Sequence, residues 1–121
     1  MRHKRKVKKL QRDVDHRRAL IKNLCRSLLK HGKIETTLVK AKAIRPFIEH
    51  LIDIAKKDTV ANRRRAFAFL SDRKLVKKLF EDVAKRFNDT TGGYTQIIRT
   101  GTRVGDNAQM AIIQFTKSAA K

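Results

Sequence analysis

From Asp15 onward, apolar and charged positions alternate with the period of a helix. Leu20, Ile21, Leu24, Cys25, Leu28 and Leu29 fall three or four residues apart and share one face. Arg17, Arg18, Lys22, Arg26 and Lys30 take the other side, so the spacing predicts an amphipathic helix with a cationic outer surface. Asp13 or Asp15 can cap its start, and Gly32 supplies the left-handed residue that ends it. Residues 33–37 are short and β-prone. A second helical run covers about 38–57, with Leu38, Ala41, Ile44, Phe47, Ile48, Leu51, Ile52 and Ala55 on its apolar face. Thr36 or Thr37 can cap it, and Pro46 inside it predicts a kink or a broken turn near 43–45. Asp58 or Thr59 caps a third helix carrying Val60, Ala61, Phe67 and Leu70. Asp72 starts a fourth with Leu75, Val76, Leu79, Phe80, Val83 and Phe87.

After Asn88 the pattern turns strand-like. A polar, glycine-containing loop at 89–93 precedes two β-rich runs, 94–100 and 109–115, which flank a loop and read as an antiparallel hairpin. The strand around Ile34 can add a third member. The reading is α+β: about four helices packed against a small three-stranded sheet, with an extended basic N-terminal arm. The expected division is an arm over 1–14, one globular domain over 15–116 and a loose tail over 117–121.

Charge changes the picture most. Thirty-one Lys and Arg oppose eleven Asp and Glu, a formal net charge of +20. Such an excess repels itself and calls for a polyanion, with nucleic acid the obvious one. Seven of those cations (Arg2, Lys4, Arg5, Lys6, Lys8, Lys9 and Arg12) lie in the first twelve residues, where little can be buried. One cysteine cannot form an internal disulfide, which suits a reducing compartment. No apolar run approaches the ~20 residues needed to span a bilayer, and the N-terminal stretch lacks the apolar core of a secretory signal. The expectation is a soluble, cytoplasmic protein.

Catalytic chemistry finds little material. The histidines His3, His16, His31 and His50 are scattered, and no Cys pair or HExxH helix suggests a metal. No phosphate loop of the GxxxxGK[ST] type is present. Cys25 lies on an apolar face, where a buried small hydrophobe is the natural reading. The chain is read as no enzyme, with no cofactor, no metal and no small-molecule substrate. Membrane-surface binding is disfavoured because the first helix's apolar face is better used in packing, and there is no Trp.

Nucleic-acid binding remains. Phe47, Phe67, Phe80, Phe87 and Phe115 fall at core-like positions, leaving Phe69 and Tyr94, and Tyr94 too defaults to the core. Recognition should then rest on phosphates, 2′-hydroxyls and shape rather than base stacking. Three groups can carry it: the basic arm; the start of the second helix, with Thr36, Thr37, Lys40 and Lys42; and the strand end and hairpin loop, with Arg99 and Arg103. Lys22 adds to the cationic face of the first helix.

Ordered blocks of residues carry a family resemblance. Met1-Arg2-His3, Leu10 and Arg12, His16-Arg17, residues 34–38 running into Lys40-Ala41-Lys42, Lys78-Leu79-Phe80, Gly92-Gly93-Tyr94-Thr95 and Arg103 with residues 105–108 span nearly the whole chain. Together they resemble the bacterial-type large ribosomal subunit protein seventeen family. The resemblance implies a structural constituent of the large subunit in the cytoplasmic ribosome. It would bind large-subunit ribosomal RNA and neighbouring ribosomal proteins, near the outer end of the peptide exit tunnel. It implies RNA contacts at the arm and His3, at His16, Arg17 and Arg18, at Thr36, Thr37, Lys40 and Lys42, and at the turn Gly92, Gly93, Tyr94. Val7 and Gln11 stand where glycines are common in that family, Gln96 where an arginine is, and Gln109 where a proline is. A DNA-compacting protein and an RNA-processing enzyme using His16 or His31 are the competing readings. Neither a helix-turn-helix signature nor an apolar wedge on an exposed ribbon supports the first.

Overall fold

The structure, a computed structural model, describes residues 14–117. The expected arm, its possible cap Asp13 and the tail beyond residue 117 lie outside the described residues.

Helix α1 (Val14–His31) buries Ile21, Cys25, Leu28 and Leu29, while Leu20 and Leu24 are half-buried. It ends at Gly32, whose φ of +83° is the left-handed conformation that glycine adopts without a Cβ penalty. Strand β1 (Lys33–Thr37) runs directly into helix α2 (Leu38–Ala55), so Thr37 is both the last strand residue and the N-cap; its hydroxyl accepts from the Lys40 N–H at 3.3 Å. Pro46 produces no broken turn. Although its nitrogen has no hydrogen to donate, α2 continues through it as one helix, held by the fully buried Ile44 and Ile48 on either side.

Helix α3 (Val60–Leu70) is capped by Thr59, whose hydroxyl accepts from Asn62 N–H at 3.1 Å. Its inward line is Ala66 and Leu70, which corrects the expectation from spacing: Val60 is 68% exposed, Phe67 41% exposed, and Ala61 is also exposed. The Asn62 amide explains the rotation. It donates to the carbonyls of Ile54 at 3.2 Å and Lys57 at 2.9 Å, pinning the first turn of α3 to the end of α2. Ala66 and Leu70, four and eight residues on, must then face the core. Helix α4 starts at the cap Asp72 and is α-helical over Arg73–Lys78, π-helical over Leu79–Val83 and α-helical again over Ala84–Arg86. Val76, Leu79, Phe80, Val83 and Phe87 are buried as their spacing predicts.

Strands β2 (Thr95–Thr102) and β3 (Gln109–Phe115) form the predicted hairpin, and β1 joins on the far side, giving the antiparallel order β1-β3-β2. The central strand alternates with period two: Ala111, Ile113 and Phe115 are buried, while Met110, Ile112 and Gln114 between them are only half-buried. Ile34 and Ile97 flank Ile113 in register, and the helices cover that face. A bulge between Arg99 and Gly101 bends the far end of β2, with Gly101 at φ +126°.

Polar links tie the sheet to α2. Tyr94 is buried against Phe87 in an edge-to-face contact at 5.2 Å, and its hydroxyl donates to the Asp53 carboxylate. The N–H and hydroxyl of the buried Thr95 both donate to one Glu49 oxygen, at 3.1 and 2.9 Å. Arg45 Nη2 donates to the Thr95 carbonyl at 3.3 Å.

Candidate nucleic-acid interface

The second helix and the second strand bring three cations together. Lys42 and Arg45 from α2 and Arg99 from β2 line one cleft of about 460 Å³, with Leu38, Pro46 and Ile97 as its apolar wall. All three cations are exposed. One carboxylate is present: Glu49 lies 3.5 Å from the Arg45 guanidinium and is also engaged by Thr95. The cleft therefore keeps a positive excess, which suits a phosphate group. Across the sheet, Thr36 and Arg99 both pair with Ala111, so they stand on the same face. Arg45 was not singled out by sequence, although its spacing of three from Lys42 places both on one helix face.

The start of α2 is arranged differently from the expectation. Lys40 and Lys42 are two apart on a helix, so they diverge: Lys42 borders the cleft and Lys40 does not. Thr37 is occupied as a cap, which satisfies the Lys40 N–H internally. What this helix start presents is mainly lysine charge and the first-turn amides.

On α1, His16 and Arg18 are exposed, and Arg17 and Lys22 are half-buried. Lys22 Nζ donates to Ser71 Oγ at 2.9 Å, and Arg26 lies 3.5 Å from Asp72. These contacts fasten α1 to the α3–α4 junction while Arg18 stays exposed. In the loop before β2, Gly92 and Gly93 take consecutive positive φ values of +75° and +63°. Because the Tyr94 ring is buried, this turn offers a ligand its glycine backbone rather than an aromatic face.

Arg103 is exposed but matched. Its Nε and Nη2 donate to the two Asp106 oxygens at 3.1 and 2.7 Å, and the Ala108 N–H donates to the same carboxylate. The guanidinium holds the Asp106 carboxyl down to about 2. Much of the Arg103 charge thus goes into organising the hairpin loop. A basic run on α3 adds cations that the helical pattern alone did not mark as functional: Arg63 is spent on Asp58, at 2.6 Å, whereas Arg64 and Arg65 are exposed.

Cys25 is fully buried, and burial pushes its thiol up to about 12, far from a reactive thiolate. Among the described residues, no group of three His, Cys, Asp or Glu could hold a metal ion. No described helix is long and apolar enough to cross a membrane. Arg2, His3, Lys4, Arg5, Lys6, Lys8, Lys9 and Arg12 lie outside the described residues.

Comparison with known proteins gives concordant matches. The family model described as Ribosomal protein L17 matches residues 20–116. The large ribosomal subunit protein bL17 of Fusobacterium nucleatum subsp. nucleatum is 48% identical over 95% of this chain and 99% of its own length. That of Rhodopseudomonas palustris (strain BisB18) is 50% identical over 95% of this chain and 85% of its own length.

Proposed function

This chain belongs to the ribosomal protein L17 family, and on that premise we propose that it binds large-subunit ribosomal RNA mainly through phosphate, 2′-hydroxyl and shape contacts, near the outer end of the peptide exit tunnel. Membership makes it a structural, non-enzymatic constituent of the large subunit of the cytoplasmic ribosome. Family membership is also what supports the location and the neighbouring ribosomal proteins as further contacts. The observation that carries the RNA reading is the convergence of Lys42, Arg45 and Arg99 on one cleft, in a chain with a net charge of +20. Arg17, Arg18, Lys40 and the Gly92-Gly93 turn widen the contact, and the N-terminal cations extend it. Phosphate contacts fix register and orientation on RNA and release condensed counterions as they form.

Binding of the purified chain to isolated large-subunit RNA should therefore fall linearly on a log–log salt plot. Replacing Lys42, Arg45 and Arg99 together by Gln should weaken binding and flatten that slope by about two to three, roughly 0.7–0.9 for each phosphate no longer neutralised. A triple variant with the wild-type slope would remove this cleft from the interface.

A further inference from the structure

We propose that the cleft between α1, α2 and α3 is a stacking site for one unpaired nucleotide of RNA, an inference that rests on the RNA-binding reading above. Phe47 of α2 and Phe69 of α3 are nearly parallel, 11° apart in plane with centroids 6.1 Å apart. Helical spacing predicts Phe47 as a core residue, yet it is 43% exposed. It faces a cleft of about 540 Å³, within the size range of small-ligand sites. Ile21 and Val14 complete the apolar wall, while Arg17, Arg18 and Lys22 form the rim, and no carboxylate lines it among the described residues.

A flat aromatic wall edged by cations fits a ligand that is itself flat and aromatic at one end and anionic at the other. A nucleotide has that form: the base lies on Phe47 and its phosphate reaches the guanidinium groups. The chain's own residues 1–13 fit worse, since seven cations against one carboxylate, Asp13, would bring like charge to a basic rim. An acidic protein segment would satisfy the rim but has no need of a parallel ring pair. The net charge of +20 favours a polyanion over it.

The chain contains no tryptophan, so Phe47→Trp installs a single indole at the site. Titrating that variant with purified large-subunit RNA should quench the indole emission in step with binding, because a stacked base quenches it. Phe47→Ala should weaken binding by roughly tenfold with the salt slope unchanged, since it removes a stacking surface and leaves every phosphate partner in place. If Phe47→Ala loses its cooperative melt, Phe47→Leu replaces it, keeping apolar volume without the ring. Wild-type affinity in the folded ring-deleted variant, or indole emission unmoved at saturating RNA, would overturn the stacking site alone. The same holds if the indole responds only to the subunit's protein fraction. Failure of the wild-type chain to bind the RNA would instead overturn the RNA-binding reading itself, and the stacking site with it.

Discussion

Asp106, in the loop between β2 and β3, accepts two hydrogen bonds from Arg103 and one from the Ala108 N–H, and all three favour its charged form. Its folded-state value, about 2, is below the ordinary 3.8. The loop's ion pair therefore contributes fully above the ordinary carboxylate range and is lost as pH falls through about 2. Arg103→Gln should raise the Asp106 midpoint toward 3.8, read by titrating its carboxyl carbon by NMR. An unmoved midpoint would mean that the backbone amide, not Arg103, sets it. At this scale the sequence was partly legible. Cys25 on an apolar face already implied an inert thiol, but nothing in residue spacing told Arg99, open to a ligand, from Arg103, matched by Asp106. That distinction depends on how a loop folds back on itself.

Helix α2 organises the other elements: the hydroxyl of Tyr94 reaches its Asp53, and the N–H and hydroxyl of Thr95 reach its Glu49. Removing the Glu49 carboxylate leaves two donors of a residue that is only 2% exposed without their acceptor. Glu49→Ala should therefore lower the unfolding free energy by about 1–3 kcal/mol, measured by urea denaturation at constant slope. A change below about 0.5 kcal/mol, the range of ordinary surface substitutions, would show that water takes over the bonds. Element type and order were readable because periods of 3.6 and 2 are distinct, and Thr37, Thr59 and Asp72 cap helices as their residue types suggest. Rotation was not readable where the apolar stripe is thin. On α3 the Asn62 side chain, rather than Val60 or Phe67, fixes which face turns inward. Nor does apolar spacing mark the π-helical turn at Leu79–Val83, and local propensity at Pro46 was overridden by the packing of its neighbours.

For the whole molecule, the proposed function rests on charge, and the fold decides where charge collects. A net +20 on 121 residues works against a compact free state, and a polyanion relieves it. That much was legible from composition. The grouping was not: Lys42 and Arg99 are far apart in sequence and meet only because β2 lies beside α2, with Arg45 completing the set. Lys40, adjacent in the same motif, turns away. The exposed Phe47 likewise follows from how three helices meet, which no single helix pattern contains. These surfaces make sense together if the chain is held in the large subunit by its RNA. Sedimentation of the full, tagged chain in lysate through a high-salt sucrose gradient tests this most directly. The account predicts stoichiometric migration with the large subunit. Migration at the top of the gradient, or with the nucleoid, would contradict it.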